Sequence, residues 1–175
     1  MSFLPPNFNV IQEPKDQAMQ EYLNKIFFDQ TVSPYTTAFA DFYALMPSDN
    51  ASPVAVASDV AFPRNGPSSN SDITRVSASS FSLGPIGTYQ VAFDVAIDIS
   101  GQLVLTLNNV EQPKTVVGRG ALLSQLSGTS IISTVAANSV LTVRNPVGNV
   151  DALPITASAG GADAVSAHLV ITRLR

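Results

Sequence analysis

The sequence has no cysteine, no tryptophan and a single histidine, His168, in 175 residues. Without cysteine there is no disulfide framework, no thiolate metal site and no thiol nucleophile. One imidazole excludes a multi-histidine metal centre and leaves any Ser–His catalysis to His168 alone. Charge is also scarce. Asp, Glu, Lys and Arg make up 13% of the chain, about half the ~25% usual for a soluble protein. Nine Lys and Arg against 13 Asp and Glu give a formal net charge of −4, which excludes the basic footprint of a nucleic-acid binder. No apolar run approaches the ~18 residues of a membrane span. Met1-Ser2-Phe3-Leu4-Pro5-Pro6 lacks the basic-then-apolar order of a secretory signal peptide. These absences remove most enzyme classes, and no cofactor is expected.

What is present is a chain that is 45% hydrophobic, enough to bury the core of one ordinary domain. So little charge on so apolar a chain implies an exterior partly covered by another subunit. The first 34 residues differ from the rest, holding Lys15 and Lys25 of the three lysines. Pro14 suits a first helical turn. Met19, Tyr22, Leu23, Ile26 and Phe27 then recur at i, i+3, i+4, i+7 and i+8, the apolar stripe of a short amphipathic helix.

Beyond Ser33-Pro34 the texture is strands and turns. The clearest strand is Tyr89 to Ile99. There Tyr89, Val91, Phe93, Val95, Ile97 and Ile99 alternate with Gln90, Ala92, Asp94, Ala96 and Asp98, so one face is core. Further strands are expected at 38–45, 73–83, 102–107, 114–118, 130–135, 139–144, 152–157 and 165–174, with a looser extended stretch at 54–62. Turns are expected at 64–71, 84–87, 108–109, 145–149 and 160–163. In the last strand, Val165, Ala167, Leu169 and Ile171 take the core face and Ser166, His168, Val170 and Thr172 the other. Leu103, Leu105, Leu141 and Val143 join the core. Roughly ten short strands with turns every ~8–12 residues specify an all-β jelly-roll sandwich. The domains are then 1–35, an N-terminal segment with the helix, and 36–175, the sandwich.

Chemistry-bearing groups are few. His168 is either a catalytic or metal-binding imidazole needing partners on its face, or an interface side chain. Asp94 and Asp98 are either paired carboxylates or a solvated strand face. Their neighbours Ala92 and Ala96 give that face the character of a close subunit contact. Ser48-Asp49-Asn50 lacks the companion motifs of a serine β-lactamase. Asn50-Ala51-Ser52 fits a glycosylation sequon weakened by Pro53. Gly118-Arg119-Gly120 is too short for a phosphate-binding loop. The arginines form no run and read as ion-pair partners.

The strand from Gly87 (Gly87, Tyr89, Val91, Phe93), followed by residues 102–112, resembles the central strands of the jelly roll shared by tumour necrosis factor and the globular heads of complement and collagen-like proteins. Residues 38–45 resemble that superfamily's opening strand, 60–66 its second and 168–174 its closing strand. Residues 116–156 and 159–175 are similar in texture to the C-terminal domain of collagen-like exosporium glycoproteins (BclA-like). The Gly-X-Y stalk usual before such heads is missing here. The resemblance implies a homotrimer and a sheet whose outer face packs near the threefold axis. The trimer-interface residues would be Ala92, Asp94, Ala96, Asp98, Arg144 and His168, with Arg144 or Arg173 compensating the aspartates. It also implies a non-enzymatic surface protein that builds or decorates a spore coat or exosporium, a viral capsid or a phage particle. The alternative is a receptor- or glycan-binding head. Attachment to a coat or capsid protein would then fall to Met19, Tyr22, Leu23, Ile26 and Phe27, with the protein located on the surface of a spore or virion.

Overall fold

The structure, a computed structural model, describes residues 18–19, 38–156 and 164–175. The chain divides into two compact units, Met1–Pro34 and Tyr35–Arg175; the fold below is that of the second. Of the expected N-terminal stripe only Met19 is described, while Tyr22, Leu23, Ile26 and Phe27 lie outside the described residues.

The described residues form strands β1 (Ala38–Met46), β2 (Arg64–Ser68), β3 (Ile73–Arg75), β4 (Phe81–Leu83), β5 (Thr88–Ile97), β6 (Gly101–Leu107), β7 (Val110–Glu111), β8 (Val117–Arg119), β9 (Ser124–Ser133), β10 (Ser139–Arg144) and β11 (Ala164–Arg173). A short 3-10 turn, Pro113–Thr115, precedes β8. One sheet runs β2-β1-β11-β5-β9 and the other β3-β4-β10-β6-β7, with β8 beside β6. The pairings among these strands are antiparallel, and non-sequential neighbours such as β1 and β11 give the jelly-roll crossover. Among the described residues no helix is long and apolar enough to cross a membrane.

The core lies between the sheets. The inward face of β5, Tyr89, Val91, Phe93, Val95 and Ile97, is at most 3% exposed. Leu103, Leu105, Leu141, Val143, Leu169 and Ile171 meet it from both sheets, all fully buried. Phe42, Phe62 and Phe81 stack at centroid distances of 4.5 and 6.1 Å, a geometry that adds to plain area burial. The Tyr89 hydroxyl donates to the Pro85 carbonyl at 2.6 Å. Burial raises this phenol's pKa, a rise that the Asp72 charge reinforces and Arg173 opposes. The Asn108-Asn109 turn takes positive φ at both residues, as a two-residue hairpin requires.

Several expected boundaries are corrected. Residues 64–68, read as part of a turn, form the edge strand β2. Pro67 is tolerated there because an edge strand has a side that needs no donor, and Gly66 lets the strand pass Asp41, whose Oδ2 lies 2.6 Å from where a Cβ would sit. The stretch 73–83 is a hairpin, with Val76 N–H bonded to the Ser80 carbonyl. Residues 113–115 are a 3-10 turn, so the expected strand at 114–118 shortens to β8. β9 begins at Ser124, earlier than expected. The stretches 54–62 and 152–156 pair only through isolated bridges such as Val54–Leu153 and Ile97–Ile155. Ala57 has φ 62°, which breaks any extended run there. Val165 is 52% exposed instead of buried, and Ser166 is buried. The register between β1 and β11 shifts at Ala44/Leu45, opposite Ala167 and Val165. One extra residue in a bulge reverses the alternation beyond it.

Phe93→Ala is expected to cost about 3–5 kcal/mol of unfolding free energy in urea titration. A loss under about 1 kcal/mol would place the ring outside the core.

Candidate functional site

The outer face of the β2-β1-β11-β5-β9 sheet collects Ala92, Asp94, Ala96 and His168 of the residues that the sequence singled out, while Asp98 lies just past the end of β5. Register fixes its cross-strand rows. Tyr43, His168, Asp94 and Ser127 form one row, and Asp41, Val170, Ala92 and Thr129 the next. Phe39, Thr172, Gln90 and Ile131 form a third. The centre of the face is half-buried within a single subunit: Asp41, Tyr43, Leu45, Ala92, Asp94, Ala96, His168 and Val170. Phe39 and Ile131, towards the perimeter, are exposed. A one-sided antiparallel sheet normally turns polar residues to water; this one mixes Ala92, Ala96, Val170, Leu45, Phe39 and Ile131 with Ser127, Thr129, Thr172, Gln90 and a few titratable groups.

The charges sit close together. His168 Nε2 lies 2.5 Å from Asp41 Oδ1. Asp94 stands directly across from His168 on β5, a position where side chains on neighbouring strands interact. Among the described residues neither Asp94 nor Asp98 has an ion-pair partner.

Arg144 does not belong to this face. It lies on β10, in the opposite sheet between β4 and β6. Its Nε and Nη2 donate to Asp59 Oδ1 and Oδ2 at 2.8 and 3.2 Å. Thr142 Oγ1 donates to the same Oδ1 at 2.8 Å and lies 2.8 Å from Thr106 Oγ1. The hydrogen bond from Asp59 raises the Arg144 pKa against the opposing effect of burial, with the Asp59 and Glu111 charges adding to the rise. Arg173 Nη1 donates to Asp72 Oδ2 at 3.2 Å. The expected compensation of Asp94 and Asp98 by Arg144 or Arg173 is therefore not made within the subunit. Alternation along a strand gives a side chain's face, but not the sheet to which that strand belongs.

The motifs set aside in the sequence have structural work. Asp49 Oδ2 accepts from Arg64 Nε at 2.6 Å and from the Leu45 N–H at 2.8 Å. Burial alone would raise its carboxyl pKa, but Arg64, the Leu45 amide and the Ser48 hydroxyl together hold it below the ordinary value. Asn50 exchanges two hydrogen bonds with the Ala61 backbone, both 2.8 Å, so the sequon amide is engaged in holding a loop. Gly118, Arg119 and Gly120 line an open groove of about 700 Å³ with Ser100, Gln102, Asn149 and Asp151. Arg119 Nη1 donates to the Gly118 carbonyl at 2.9 Å. The sequence reading missed this groove, whose signal is glycine at 101, 118, 120 and 148 on segments far apart in the chain. Among the described residues no cluster of three or more metal-ligating side chains occurs.

No protein-family model matches the sequence, and no curated protein matches it significantly. Solved structures do. The crystal structure of murine APRIL is similar at TM-score 0.53 and 9% identity, over 78% of this chain and 98% of that one. The globular domain of zebrafish complement 1qA protein is similar at TM-score 0.51 and 12% identity, over 78% of this chain and 94% of that one. The fold is the TNF/C1q-like jelly roll.

Asp59→Ala leaves the mostly buried Arg144 guanidinium without its partner and is expected to lower stability by roughly 2–3 kcal/mol in urea titration. A change below about 0.5 kcal/mol would show that water replaces the pair.

Proposed function

We propose that the chain is a non-enzymatic structural surface protein, a homotrimeric jelly-roll knob that builds or decorates a spore coat or a virus or phage particle. The observation that carries this reading is the outer face of the five-stranded sheet. On β5 Ala92 stands between Val170 of β11 and Thr129 of β9, and Ala96 stands opposite Gln125 of β9; both side chains are small, so a second backbone can approach closely there. Cyclic symmetry buries such a face with identical copies. The fold is that of the APRIL and complement 1qA heads, and the texture of residues 116–175 is similar to BclA-like exosporium heads. In this reading Ala92, Asp94, Ala96, Asp98 and His168 meet near the axis, while Arg144 acts within the opposite sheet. The segment 1–35 attaches the knob to a coat or capsid protein on the particle surface.

A second reading, a receptor- or glycan-binding head, draws support from the groove, where Arg119 and Asp151 offer a donor and an acceptor beside exposed peptide groups. A glycan array on the purified protein separates the two: binding abolished by Arg119→Ala favours the recognition head.

Light scattering at micromolar concentration is expected to give three times the chain mass, and Ala92→Arg is expected to give a folded monomer. A wild-type monomer would overturn the trimer. A chain lacking residues 1–34 is expected to fold and trimerise but not to enter the parent particle. If it unfolds instead, the segment belongs to the core of the fold and the attachment role is lost.

A further inference from the structure

The centre of the outer sheet face holds a cluster of titratable side chains around His168, and its consequence for assembly rests on the trimer reading. His168, on β11, is flanked by β1 and β5. From β1 it meets Asp41, at 2.5 Å, and Tyr43 across the strand pair. On β5 Asp94 stands directly opposite it in the register. Beyond Tyr43 the next strand, β2, presents Arg64, which is held by Asp49 at 2.6 Å. On the far side of Asp94, β9 presents Ser127 and no charge. The imidazole thus has one carboxylate in contact and a second directly across the strand pair, and among the described residues no arginine or lysine forms an ion pair with either; Arg75, which lines a small cavity with Asp41, is bonded to Asn65.

We propose that assembly through this face takes up protons, with the charged His168 imidazole held between Asp41 and Asp94 at the subunit contact. With a neutral imidazole each copy brings two uncompensated carboxylates to a surface that is losing its water, and around an axis these repeat and repel. With a charged imidazole each copy brings one cation between them, and one negative charge remains. Histidine is the side chain whose charge ordinarily changes near neutral pH, and this is the only histidine in the chain. The sign follows from linkage. The assembled state binds more protons than the separated subunits, so association weakens as pH rises.

The test is dilution of the full chain, followed by sedimentation or light scattering, at about pH 6 and about pH 8. The midpoint concentration for dissociation is expected to rise at least about tenfold between the two for the wild type. His168→Gln is expected to respond little to pH. Asp94→Asn, which removes one of the two carboxylates, is expected to hold the trimer together better than the wild type at the higher pH. A wild-type trimer whose midpoint ignores pH, or a His168→Gln trimer that keeps the wild-type response, overturns the proton uptake and leaves the trimer standing. An Asp94→Asn trimer looser than wild type overturns it too, by showing that a cation from a neighbouring copy meets Asp94. A chain that is monomeric at both pH values overturns the trimer reading itself, and the proton uptake with it.

Discussion

Strand β5 lies between β11 and β9, and its register with those neighbours decides the side of every residue in the sheet. A slip of one residue would carry Phe93 out to water and Asp94 into the core. The structure resists that slip at one place in particular. Gly128 on β9 stands opposite Phe93, and a Cβ at Gly128 would lie 2.7 Å from the Phe93 ring and 2.8 Å from Val117. Only glycine leaves room for the ring there, so the pair sets β9 against β5 by shape as well as by hydrogen bonding. The irregularities lie on the other side of the sheet, where the bulge at Ser166 absorbs an extra residue near the start of β11 and the register of β1 against β2 shifts between Ala40 and Phe42.

The loops depend on that frame but are held by polar ties. Asn145 is fully buried, and its Nδ2 donates to the Val54 and Asp151 carbonyls at 2.9 and 3.0 Å. One amide thereby joins two irregular segments that have no ladder of their own, as buried polar groups require. Arg64–Asp49, Arg144–Asp59 and Arg173–Asp72 fasten strand ends to loops in the same way. These ties engage the arginines within the subunit. The centre of the outer face of the β5 sheet carries the imidazole of His168 beside Asp41 and opposite Asp94.

Legibility in the sequence followed burial. β5, β10 and the inward part of β11 were readable because one face is wholly apolar and the period is undisturbed. The edge strand β2 was not readable. Arg64-Asn65-Gly66-Pro67-Ser68 has turn chemistry, and it extends only because β1 offers a partner that no local pattern reveals. The reading of Val165 failed at a bulge, which is a property of two strands together. The face bearing Ala92, Asp94, Ala96 and His168 was found by alternation. Asp41 was missed, because only the pairing of β1 with β11 brings it to His168 from 127 residues away. Arg144 was misplaced for the converse reason: a suitable charge on a strand says nothing of the sheet that holds it.

Topology also relates the two functional readings. Ala38 pairs with Arg173, and the Leu174 amide donates to Thr88. The start of β1, the start of β5 and the C-terminus therefore share one end of the sandwich. The groove is built from the start of β6, the end of β8 and residues 148–153, which lie beyond the other end of β5, where Asp98 bonds to Pro154 and Leu123. The groove therefore lies at the end of the sandwich opposite the start of β1 and the C-terminus. A contact made through the sheet face would leave that end open, because the face and the groove use different residues. A subunit contact on the sheet face and a recognition surface at the groove are thus compatible in one fold.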